Sequence, residues 1–113
     1  MLRRCVVAVL LSVAITTSAG PARAGYINGE EYLYMEDAER TEYVMGLFDM
    51  LEELARDDPR HGAFFNRVER CTAGMSGGQL RDFVDDYTWS DETFEGYSMA
   101  SNFSAALNSR CPY

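Results

Sequence analysis

The one histidine, His61, stands beside Asp57 and Asp58, and an imidazole among carboxylates is a donor set that several divalent ions accept. The spacing fits no metal motif, and a solvated surface is the simpler reading. A hydrolase needs a nucleophile, a base and an orienting group, and a single histidine in a predicted turn does not assemble them. Asp85-Asp86 and Asp91-Glu92 are paired acids, but adjacent helix residues point in different directions, so solvation and helix capping account for them. Gly74-Met75-Ser76-Gly77-Gly78 lacks the following Lys-Ser/Thr with which a phosphate loop holds its phosphates and metal ion, and reads as a turn and cap. Asn102-Phe103-Ser104 spells a glycosylation sequon inside a helical pattern, where a glycan would meet the core, and reads as chance. These residues imply no catalytic centre, no cofactor and no metal.

The N-terminus has a three-part secretory pattern: Arg3-Arg4, an apolar run from Cys5 to Ile15, then small and turn-forming residues ending in Ala22-Arg23-Ala24. The apolar run is shorter than the roughly 20 residues that a spanning helix needs. Residues 1–24 are therefore read as a cleaved signal peptide, and residues 25–113 as one exported domain. Removing the signal takes three of the ten arginines and none of the eighteen acids, leaving seven against eighteen, a net charge of −11. Such a domain repels nucleic acid and anionic lipid, so a protein is the expected partner, with no membrane contact after cleavage. Cys5 leaves with the signal, and the remaining pair, Cys71 and Cys111, predicts one disulfide in an oxidising compartment. A redox-active pair is disfavoured because the two do not form a Cys-x-x-Cys turn.

The elements that must position these residues read as helices. Asn28-Gly29-Glu30-Glu31 predicts a cap and a short helix carrying Tyr32 and Tyr34. Val44, Leu47, Phe48, Leu51, Leu54 and Ala55 recur at helical spacing from about Asp37 to Arg56, with Gly46 expected to admit a neighbouring helix. Asp57-Asp58-Pro59-Arg60-His61-Gly62 is expected to be a surface loop. Phe64, Phe65, Val68 and Cys71 mark a shorter helix stopped by Thr72-Ala73-Gly74. Ser76 and Gln79 have capping-box spacing ahead of Leu80, Phe83, Val84 and Tyr87. A turn is expected at Thr88-Trp89-Ser90, then a last helix from Asp91-Glu92 that carries Phe94, Ala100, Phe103 and Leu107 inward and ends near Arg110. The predicted fold class is all-α: a small domain of about four main helices with one disulfide.

Tyr and Trp are common interface anchors, and Tyr26, Tyr32, Tyr34, Trp89 and Tyr113 fall at ends and turns. With Asp57, Asp58, Arg60 and His61 of the expected loop, Tyr32, Tyr34 and Trp89 are the candidate partner contacts. Ordinary packing is an equal explanation for the aromatics.

The order of segments resembles the Rap/Tai family of small exported bacterial immunity proteins. The resemblance is carried by Tyr43-Val44-Met45-Gly46-Leu47-Phe48-Asp49, by Cys71, by the run from Met75-Ser76-Gly77-Gly78-Gln79-Leu80 to Tyr87, and by Ala105-Ala106-Leu107 ahead of Cys111-Pro112. It extends from about Asn28 to Cys111. Typical members carry a further cysteine pair, and at the place of one of them this chain has Arg40-Thr41-Glu42. The resemblance implies a helical protein of the Gram-negative periplasm, sometimes a homodimer, that binds and blocks a toxic cell-wall amidase and has no catalytic residues. Two other readings stand beside it: an acid-stress chaperone of the HdeA type, also small, helical and single-disulfide, and a member of the same family with a different role.

Overall fold

The computed structural model describes residues 26–113. The expected signal peptide, residues 1–24, lies outside the described residues. The domain is all-α. A short α1 (Gly29–Leu33) precedes α2 (Asp37–Asp57), α3 (Pro59–Thr72) and α4 (Gly77–Trp89); a 3-10 helix (Glu92–Gly96) then leads into α5 (Met99–Arg110). Among the described residues there is no β-strand, only an isolated bridge between Asn28 and Ser98, and no helix is long and apolar enough to cross a membrane.

Local chemistry explains most of the boundaries. Asn28 and Glu31 form a capping box on α1, and Ser76 and Gln79 form another on α4, so each pair satisfies two otherwise unpaired amides. Gly74, with φ of 82°, takes the left-handed conformation just past the end of α3, where a side chain would be strained.

Four expectations are corrected. The segment Asp57 to Gly62 is not a loop: Asp58 alone separates two helices, and its side chain accepts from the Arg60 amide while Pro59 starts α3. Proline suits this first position because its missing N–H would have no partner there. The last helix does not begin at Asp91. Asp91 caps the 3-10 helix, Ser98 caps α5, and Phe94 therefore lies outside α5, while Ala100 is exposed. The turn at Thr88 is absent, since α4 runs through Trp89 and buries Thr88. Finally, a Cβ on Gly46 would meet open space, so that glycine admits no neighbouring helix.

The core gathers Val44 from α2, Val68 from α3, Leu80 and Val84 from α4, Tyr32 from α1, and Met99, Phe103, Ala106 and Leu107 from α5. It is small for the chain. Along the C-terminal half of α2, Leu47, Phe48 and Leu51 pack partly buried against it, whereas Met50 and Leu54, the latter expected on the buried face, are exposed.

The disulfide joins Cys71, at the end of α3, to Cys111, just past α5, with Cα atoms 5.6 Å apart and 40 residues between them in sequence. Closing a loop of that length stabilises by about 4 kcal/mol in the chain-entropy model, comparable with the net stability of a domain this small. The double variant Cys71→Ser/Cys111→Ser is expected to lower the thermal midpoint by more than about 10 °C, read by circular dichroism. A change of a degree or two would show that the bridge is dispensable.

Candidate functional site

Two of the candidate contacts, Tyr34 and Trp89, lie 55 positions apart in sequence and line one surface cleft with Glu30, Leu33 and Glu95. The cleft has a volume of about 170 Å³. Tyr34 follows the last turn of α1, Trp89 ends α4, and Glu95 belongs to the 3-10 helix. Both aromatic side chains are open to solvent, Tyr34 at 84 % and Trp89 at 65 % of full exposure.

What brings these three segments together begins at Gly29. A Cβ there would come within 2.6 Å of the Phe94 carbonyl oxygen and 2.9 Å of the Glu95 Cα, so only glycine lets α1 lie directly on the 3-10 helix. The Gly29 amide donates to the Tyr97 carbonyl at 3.0 Å, and the Met99 amide donates to the Ile27 carbonyl at 2.8 Å. On the other side, the Tyr32 hydroxyl donates to Asp85 Oδ1 of α4 at 2.7 Å. Arg40 Nε donates to Asp85 Oδ2 at 3.2 Å, and the same guanidinium reaches the Met35 carbonyl and Asp37. Asp85 is thus a hub tying α1, α2 and α4. Burial is the main cause that pushes the Tyr32 phenol well above its usual range, followed by its bond to the Asp85 carboxylate.

Chemically the cleft offers two aromatic faces and two carboxylates. Among the described residues neither Glu30 nor Glu95 is in an ion pair. A cation over a Tyr or Trp face gains about 0.5–1 kcal/mol at an exposed site, and more once desolvated. The arrangement suits a lysine or arginine side chain.

The remaining candidates fall elsewhere. Tyr32 is fully buried, so it supports the site and offers no surface to a partner. Asp57 ends α2, and Asp58, Arg60 and His61 form the start of α3 instead of a loop tip. His61 Nδ1 lies 3.2 Å from Asp58 Oδ2, and Arg60 Nη2 lies 3.1 Å from the same oxygen. The Arg60 side chain and then its amide hold the Asp58 carboxyl below the usual range, and the Thr93 amide and hydroxyl do the same for Asp91. Asn102 of the sequon is buried and donates to the Phe94 carbonyl at 2.7 Å, so its amide nitrogen is engaged.

No protein-family model, no curated protein and no solved structure matches the chain. The resemblance described above is carried by its motifs alone.

Sequence reasoning found Tyr34 and Trp89 but missed Glu30, Leu33 and Glu95. Glu30 lies four residues before Tyr34 and was readable from helical spacing; Glu95 was not, because the 3-10 helix was expected to be part of α5.

Three outcomes test this geometry. Gly29→Ala is expected to destabilise the domain by about 1–3 kcal/mol in chemical unfolding, because the added methyl meets backbone. Tyr32→Phe is expected to cost about 1–3 kcal/mol in the same measurement, by leaving a half-buried carboxylate one donor short. A carboxyl with a depressed pKa stabilises the fold above its ordinary value and loses that contribution as the pH falls through the lowered one. The Arg60 and Thr93 amide resonances should therefore titrate with midpoints below the ordinary 3.8. Midpoints at or above it would mean that these caps do not form.

Proposed function

We propose that this is a non-catalytic, exported binding protein of the periplasm that blocks a toxic cell-wall amidase, with the Tyr34–Trp89 cleft receiving a basic side chain of that enzyme. One observation carries the choice of surface: two exposed aromatics from distant segments converge beside two carboxylates that make no ion pair among the described residues. Buried aromatic anchors supply much of the energy of protein interfaces, and the carboxylates select a cationic group. The resemblance to the Rap/Tai family supports the amidase as partner, and the charge of −11 on residues 25–113 would speed encounter with a basic surface. Inhibition by a protruding loop at residues 57–62 is set aside, because all of those residues except Asp58 are helical.

The test is to co-express the protein in the periplasm with a type VI amidase encoded beside it, and to assay the purified pair for complex formation and inhibition. Protection and a salt-sensitive complex are expected. Tyr34→Ala and Trp89→Ala should each weaken it by about 2 kcal/mol, roughly thirtyfold in affinity, with the helical spectrum unchanged. Absence of both protection and complex would overturn the reading, and suppression of client aggregation appearing only at low pH would favour the acid-stress chaperone.

A further inference from the structure

The arginines of this acidic domain are not evenly neutralised. Arg40 and Arg81 pair with acids of α2 and α4, Arg56 with Glu52 and Glu53, and Arg60 with Asp58. Among the described residues, Arg67, Arg70 and Arg110 make no ion pair. Two of these three, with Arg60, lie along one face of α3 and line a single groove with Phe64 and Tyr113. The groove has a volume of about 370 Å³, and among the described residues no aspartate or glutamate lines it.

Arg67 is held in place. Its guanidinium carbon lies 4.0 Å from the centre of the Tyr113 ring and 5.1 Å from that of Phe64. Its Nη2 donates to Asn108 Oδ1 at 2.7 Å, a neutral acceptor. Its Nε is buried and has no hydrogen-bond partner among the described residues. Arg60, at the other end, is highly exposed, and among the described residues its ion pair is with Asp58.

We propose that this groove binds a short, extended acidic segment of a partner protein, independently of the Tyr34–Trp89 cleft. Guanidinium groups recognise carboxylates through paired, directional hydrogen bonds, and an arginine already stacked on aromatics loses little further freedom in doing so. The spacing selects an extended peptide over a single oxyanion. From Arg60 to Arg70 the helix rises about 15 Å. In an extended chain, side chains on one side repeat about every 6.6 Å, so three alternate carboxylates span about 13 Å. One small ion would meet one arginine and leave the others unused. An anionic membrane is disfavoured, since the excess of eighteen acids over seven arginines in residues 25–113 repels an extended anionic surface.

The test is a fluorescence anisotropy titration of the purified protein, at low salt, with a labelled octapeptide of alternating Glu and Ser and with its Gln-Ser counterpart. Saturable binding of the Glu-Ser peptide alone is expected. Arg60→Gln and Arg70→Gln, both at solvent-exposed positions, should each weaken it about threefold to fivefold. The double variant should show little binding while keeping its helical spectrum and melting point, and Trp89→Ala should bind as the wild type does. The proposal is overturned by no binding, by equal binding of the Gln-Ser peptide, or by binding that survives the double variant. Displacement of the peptide by inorganic phosphate at matching concentration would overturn it too, as would co-sedimentation of the protein with phosphatidylglycerol vesicles that is lost with the same two substitutions.

Discussion

Asp85 is half-buried in α4 and accepts the Tyr32 hydroxyl of α1 and the Arg40 guanidinium of α2. With about 14 % of its side chain exposed, this carboxylate has exchanged most of its water for protein donors. Hydrogen bonds to a charged group contribute more than neutral ones, and losing one partner strands a desolvated charge. The consequence is geometric as much as energetic. α1 has only five residues, too few to be stable alone, so its position is set by what it touches. Asp85 holds one side of it, Gly29 seats the other on the 3-10 helix, and together they bring Tyr34 to the same cleft as Trp89.

The opposite end of the domain is organised differently. There the disulfide joins the ends of α3 and α5, and Arg67 stacks between Phe64 and Tyr113. A small core leaves both ends in need of such local restraints, one polar and one covalent. The two ends also carry opposite chemistry: an acidic aromatic cleft at one, a basic aromatic groove at the other. A net charge counted over the whole chain conceals that division.

Arg40 at the start of α2 is the second partner of Asp85. Arg40 ties the start of α2 to Asp85 of α4 and to the Met35 carbonyl. Ion pairs weaken with salt and with carboxylate protonation, whereas a disulfide answers to redox conditions. The restraint at this end is electrostatic, and that at the Cys71–Cys111 end is covalent.

The sequence by itself determined the helical class, the two capping boxes, the disulfide pair and most of the buried faces. Each rests on neighbours within four residues, or on the two cysteines that remain when Cys5 is assigned to the expected signal peptide. It misjudged Asp57 to Gly62 because Pro59 and the acids signal a turn and a helix start equally well, and only packing on α2 decides between them. It misjudged the start of α5 because two short caps, Asp91 and Ser98, compete over eight residues. The roles of Tyr32 and Asp85 were beyond local reading, since a tyrosine becomes buried and a carboxylate becomes a hub only when residues 53 positions apart meet. Tertiary structure also decided which aromatics stay on the surface and which charges stay unpaired, because both depend on the neighbours that folding supplies and not on spacing along the chain.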